Sequence, residues 1–160
     1  MADPLPAPDW RNPLHVLAFG LGAGTAPVAP GTAGTLVGLP LYAALAGLPF
    51  SVYLASLAVV IAAGVAICGR TAADLGVHDH PGIVWDEIAG LLVALCGVPI
   101  GWDWAVAGFV LFRVFDILKP WPIHWIDRRV GGGLGIMADD VLAGLYAAAM
   151  LHATAWWLGV

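Results

Sequence analysis

Charge is what this sequence has least of. Six basic and eleven acidic side chains serve 160 residues, 11% of the chain, where a soluble domain carries roughly 25%. From Pro13 to Gly69 there is no Lys, Arg, Asp or Glu at all. Such a stretch cannot form a water-facing surface. With 61% hydrophobic residues and a mean hydropathy of +0.89, it reads as embedded in a membrane. Other shortages narrow the class further. A net charge of -5 leaves no basic patch, and the usual nucleic-acid motifs are missing, so no nucleic-acid partner is expected. The two cysteines, Cys68 and Cys96, stand far apart in apolar segments. They form no CxxC pair, which excludes a disulfide framework and a zinc site and leaves two small core residues. The opening "MADPLPAPDW" has neither the positive start nor the apolar run of a signal peptide. Residues 1–12 are expected to be a flexible tail, and residues 13–160 one membrane-embedded domain.

What the chain does have is apolar segments broken by Gly and Pro. Five helices are expected, at Gly34–Ala46, Phe50–Cys68, Asp86–Val98, Trp104–Leu118 and Asp139–Leu158. The fold class is an all-α, helical-bundle integral membrane protein. Several segments fall short of the ~20 residues that cross a bilayer, so three to five are membrane-embedded. If all five cross with the N-terminus inside, Arg11, Arg70, Arg113, Lys119, Arg128 and Arg129 fall on the inner side, as the positive-inside rule requires. Trp102, Trp104, Trp156 and Trp157 would form the outer aromatic belt. The polar loops then gather on the inner face.

That topology also collects the acids. "IVWDEIAGLL" puts Asp86 and Glu87 at the head of a helix, and "MADDVLAGLYAA" repeats the arrangement with Asp139 and Asp140. Acids in a first turn also favour the helix dipole, so each pair alone has two readings. Together, at one membrane face, they suit Mg²⁺, which takes oxygen ligands. Asp86, Glu87, Asp139 and Asp140 are the candidate metal ligands. In "GFVLFRVFDILKPWPIHWIDRR", Arg113 and Asp116 share a helix face, and Arg is a natural phosphate binder as well as an ion-pair partner. Arg128 and Arg129 serve either as topology determinants or as binders of an anionic lipid headgroup. In "GLGAGTAPVAPGTAGTLVGLP", Gly31, Thr32, Gly34 and Thr35 could offer N–H groups and hydroxyls to a phosphate. "GVHDHPG" adds Asp79, a further ligand or base, between two histidines read as exposed and idle.

These blocks, in this order, resemble the phosphatidylglycerophosphatase A family of bacterial membrane lipid phosphatases. The resemblance covers roughly residues 20–150 and is most specific in "FDILKPWPI" and "GGLGIMADD". It implies removal of the terminal phosphate from phosphatidylglycerophosphate at the inner membrane, with Mg²⁺ as cofactor. It carries acidic roles onto Asp79, Asp86, Glu87, Asp116, Asp127, Asp139 and Asp140. Basic roles fall on Arg113, Lys119, Arg128 and Arg129, and the glycine-threonine motif on Pro30, Gly31, Thr32, Gly34 and Thr35. The resulting candidates are Asp79, Asp86, Arg113, Asp116, Lys119 and Asp140 for catalysis, and Gly31, Thr32, Thr35, Arg128 and Arg129 for substrate binding. Water is the expected nucleophile, since there is no DxDx[TV] motif for an aspartyl-phosphate. The alternative is a cation- or proton-coupled transporter using the same carboxylates.

Overall fold

A computed structural model of the chain describes residues 5–78 and 80–160. Among them there is no strand, as the sequence leads one to expect. In chain order the elements are α1 (Pro13–Ala18), a 3-10 turn (Gly20–Thr25), α2 (Pro30–Ala46), α3 (Phe50–Leu75), α4 (Trp85–Ala94), α5 (Trp102–Leu118), α6 (Ile123–Arg129) and α7 (Gly132–Leu158).

All five expected helices are present, with shifted ends. α2 starts at Pro30, where a proline suits the first helical position. α3 runs past Arg70 and stops where Gly76 turns left-handed at φ 68° and returns its N–H to Ala72 and Ala73. α4 ends at Ala94 rather than Val98. α7 begins at Gly132 rather than Asp139, which corrects the reading of "GGGLG" as a loop. Glycine inside a helix costs about 1 kcal/mol relative to alanine, and here close packing offsets that cost. A Cβ on Gly133 would run into the Val65 carbonyl and lie 2.8 Å from the Gly69 nitrogen, so α7 crosses α3 backbone to backbone.

α4 is the centre of the bundle. Every residue from Ile88 to Ala94 is buried, as befits a helix that is hydrophobic all round. It packs against α2, α3, α5 and α7, and α7 in turn touches α3, α5 and α6. The tightest crossing joins α4 to α7. A Cβ on Gly144 would meet the Gly90 carbonyl and stand 2.9 Å from Val93 Cβ. At ten residues α4 is about 15 Å long, and the Leu92 carbonyl of its last turn is buried. Tyr53 donates its hydroxyl to the Leu92 carbonyl at 2.6 Å, and His152 Nε2 lies 2.9 Å from the Cys96 carbonyl. Side chains from α3 and α7 thus do what water does at an exposed helix end.

Two helices, α3 and α7, are long and apolar enough to cross a membrane. α2 and α5, at 17 residues each, reach about 26 Å. These helices expose large apolar side chains along their length, among them Val59, Val106, Val110 and Met150. Helix direction sorts the polar residues to one end, which holds the starts of α2 and α4, the end of α5 and the first third of α7. At the other end Trp102, Trp156 and Trp157 are exposed. The segment before α1 lies against the polar end: the Asp9 N–H donates to His15 Nδ1, and the Pro6 carbonyl meets His80 Nε2 at 3.1 Å.

The Gly90–Gly144 crossing leads to a direct test. Gly144→Val forces two backbones apart, and overpacking of this kind costs about 1–3 kcal/mol or more. At about 2–4 °C per kcal/mol for a chain of this size, the melting temperature in detergent should fall by several degrees. An unchanged melting temperature would show that the helices do not meet there.

Candidate active site

The first turn of α4 is held from several sides. The Val84 N–H donates to the Ala18 carbonyl at 2.8 Å, and Trp85 Nε1 to the Val60 carbonyl at 3.0 Å. Gly34 of α2 lies so close to Val84 that any Cβ would overlap it. The next two residues, Asp86 and Glu87, are therefore fixed in direction. Asp140, two turns inside α7, faces them. Ligand atoms of Asp86, Glu87 and Asp140 all lie within 4.8 Å of one another.

This trio has little access to water. Asp86 is 9% exposed and Asp140 3%. Asp86 Oδ1, Glu87 Oε2 and Asp140 Oδ2 are buried without a hydrogen-bond partner. Carboxylates packed this way need a positive charge among them. Three carboxylates this close together, each with a partnerless oxygen, are the donor set of a hard divalent cation, so these residues fit Mg²⁺.

Two basic groups flank the trio. Arg113 Nη1 lies 2.7 Å from Asp116 Oδ2 and 3.8 Å from Glu87 Oε1, while its Nε makes no hydrogen bond. The first turn of α2 comes up beside them. A Cβ on Gly31 would strike Glu87 Oε1 and stand 3.1 Å from both Arg113 Nη atoms. Glycine here lets the first turn of α2 pack directly against the Glu87 carboxylate and the Arg113 guanidinium. Lys119 closes α5 in a left-handed conformation at φ 42°. Its Nζ donates to Asp139 Oδ2 at 2.6 Å and Asp127 Oδ1 at 2.9 Å. Burial alone would lower the Lys119 pKa, but these two carboxylates more than reverse that and keep it charged.

A family model described as Phosphatidylglycerophosphatase A matches residues 16–155. The chain belongs to the phosphatidylglycerophosphatase A family. The Phosphatidylglycerophosphatase A of Escherichia coli K12 is 46% identical over 152 residues, covering 93% of this chain and 88% of that one. That of Haemophilus influenzae is 44% identical over 158 residues, covering 98% and 97%. A Bacteroides thetaiotaomicron protein, 36% identical over 90% of this chain and 94% of its own length, is named for a phosphatidylinositol-3-phosphatase. No solved structure matches. Family membership makes the chain an enzyme, a phosphatase, and nothing supports the transporter alternative.

Within this family member the expected site residues fall into three groups. Asp86, Glu87, Asp140, Arg113, Asp116 and Gly31 come together around one point. Asp139, expected as a metal ligand beside Asp140, accepts from Lys119 through Oδ2, since successive helical residues point about 100° apart. Thr32, Thr35, Arg128 and Arg129 stand outside the cluster's contacts. Thr35 is buried and donates its hydroxyl to the Gly31 carbonyl at 2.8 Å, and Thr32 is half-buried in the first turn. Arg128 and Arg129 are exposed on α6, Arg129 at 4.7 Å over the Trp125 ring. The site's ion pairs are made by Arg113 and Lys119. Asp79 lies outside the described residues. One group was passed over: His78, read as idle, lines a cavity of about 180 Å³ together with Asp86, Asp127 and Asp139.

The two Lys119 contacts differ in burial: the Asp139 side chain is 10% exposed and that of Asp127 37%. Removing Asp127 breaks the more exposed of the two pairs, worth about 1 kcal/mol. Removing Lys119 leaves a buried carboxylate uncompensated, a far larger loss. Asp127→Ala should therefore lower the melting temperature by no more than about 2–4 °C, and Lys119→Met by at least about twice that. Equal shifts would show that Asp139 does not depend on the ammonium.

Proposed function

We propose that the chain hydrolyses the terminal phosphate monoester of phosphatidylglycerophosphate to phosphatidylglycerol and phosphate, with Mg²⁺ held by Asp86, Glu87 and Asp140. The observation that carries this reading is the buried trio of unpartnered carboxylate oxygens beside the open donors of Arg113. Family membership supplies the phosphatase activity, and the relatives' names point to the lipid.

Phosphate-monoester hydrolysis needs charge neutralisation and a positioned nucleophile. Mg²⁺, when bound, supplies neutralisation and polarises the phosphoryl oxygens. The chain's own residues do the rest. Arg113, held in place by Asp116, presents guanidinium donors to the equatorial oxygens, where charge develops in the transition state. The first turn of α2 lies beside Glu87 and Arg113, and its N–H groups add positive potential to that corner of the site. Lys119 acts through Asp139 and Asp127, since its ammonium is bonded to both. Water is the nucleophile, oriented by a carboxylate of the cluster. Isotope-labelled water in a single turnover should label only the released phosphate; label in an enzyme carboxylate would mean a covalent aspartyl-phosphate instead.

The chain sits in the bacterial inner membrane, crossing it with three to five of α2, α3, α4, α5 and α7. The site faces the cytoplasm. Arg70, Arg113, Lys119, Arg128 and Arg129 all lie on elements whose polar ends meet there, and the exposed Trp102, Trp156 and Trp157 lie at the far end. The substrate's tails then stay in the bilayer while its headgroup reaches the cluster.

Asp86→Asn and Asp140→Asn should each lower kcat on phosphatidylglycerophosphate by at least about 100-fold, since even outer-shell partners of a metal are worth 10–100-fold. Membrane insertion should be unaffected. Phosphate release should need Mg²⁺ and stop with a chelator. Near-normal turnover in both purified variants would refute the metal assignment. Faster release from a phosphatidylinositol monophosphate than from phosphatidylglycerophosphate would refute the substrate.

A further inference from the structure

The helix that carries Asp86 and Glu87 begins at Val84 without a side-chain cap. The aim of its first turn therefore depends on how the residues before it are held. His80 opens that stretch. Its place in a polar loop suggests an idle, exposed ring, yet it is only 7% exposed, and both ring nitrogens are engaged. The Gly82 N–H donates to Nδ1 at 3.0 Å in a buried bond, and Nε2 faces the Pro6 carbonyl at 3.1 Å. A donor on one side and a carbonyl on the other fix one tautomer, with the proton on Nε2. The His80 carbonyl also accepts from the Ile83 N–H at 2.8 Å. Side chain and backbone of one residue thus close the turn that leads into α4.

The surroundings hold that ring still. Phe19, which is fully buried, lies against it with centroids 5.2 Å apart, and Trp10 meets Phe19 edge-on at 6.2 Å. A Cβ on Gly82 would overlap the Phe19 ring and stand 2.8 Å from the Gly24 carbonyl oxygen, so the turn is packed against the chain around Phe19. Beyond the turn, the Val84 N–H reaches the Ala18 carbonyl. We propose that His80 is a positioning residue for the reaction: its bond to the Gly82 N–H sets the turn from which α4 presents Asp86 and Glu87, and the segment before α1 keeps its ring in place. It acts through the backbone of the turn. A misplacement of about 1 Å at reacting groups can cost on the order of 100-fold in rate, so one bond at this point can matter to turnover.

The inference rests on the reading of the trio as the Mg²⁺-dependent centre. The test is phosphate release from phosphatidylglycerophosphate by the full-length protein in detergent, at a temperature where circular dichroism shows every variant folded. His80→Phe keeps a flat ring against Phe19 and deletes both bonds. It should lower kcat by at least about tenfold and raise the Mg²⁺ concentration for half-maximal rate by at least about tenfold, with KM for the lipid little changed. His80→Ala, which deletes the same bonds without a ring, should show the same split. His80→Asn should recover most of kcat and of the Mg²⁺ response, because an Asn side chain accepts from the N–H two residues on. Normal kcat in His80→Phe and His80→Ala would overturn the proposal. So would an equal loss in all three variants with an unchanged Mg²⁺ response, which would make His80 a packing residue. Turnover of the unaltered protein without Mg²⁺ would overturn the metal reading instead, and the comparison of kcat among the variants would still decide the role of His80.

Discussion

A carboxylate inside a bundle of apolar helices costs several kcal/mol unless an opposite charge or a set of donors reaches it. This chain places Asp86, Asp139 and Asp140 in that position, with Glu87 close behind. The remaining polar architecture answers that constraint. Arg113 compensates Glu87 and Asp116, Lys119 compensates Asp139 and Asp127, and Asp86 and Asp140 are left without an ion pair among the described residues. A fold that accepts such a cost at one end of an otherwise apolar bundle is organised around a positive ligand.

Glycine is what lets the charges meet. Gly90 and Gly144 allow α4 and α7 to touch, which brings Asp86 and Asp140 together. Gly133 and Gly69 do the same for α7 and α3, and Gly31 lets α2 meet Glu87 and Arg113. In each case a side chain would separate elements whose value lies in their proximity. The end of α4 follows the same economy of contact, with Tyr53 taking up the buried Leu92 carbonyl and His152 meeting that of Cys96 nearer the surface. Stability and chemistry are therefore coupled: loosening the α4–α7 crossing would also spread the acids.

Much of this was legible in the sequence. Hydropathy located the five main helices, because burial in or against lipid leaves a strong compositional trace. The DE and DD pairs stood out because acids are rare in such a chain. What was not legible follows from side-chain direction and from packing. "GGGLG" reads as a loop by propensity, yet close contact with α3 overrides propensity at Gly133. Asp139 and Asp140 are neighbours in sequence but face different partners, a consequence of helical rotation that a pair motif hides. Thr35 looked like a phosphate donor but bonds its own helix. His78 looked idle, since nothing local says that its loop folds back over α7.

The central claim is that the trio needs a cation, and thermal unfolding of the protein in detergent tests it without reference to turnover. A ligand present at about 100 times its Kd stabilises the folded state by about 2.7 kcal/mol, or several degrees for a chain of this length. Saturating Mg²⁺ should raise the melting temperature of the chelator-treated protein by that amount, and Asp140→Asn should abolish most of the rise. A melting temperature indifferent to Mg²⁺ would mean that the carboxylates are compensated in some other way, and the account of the site would fall.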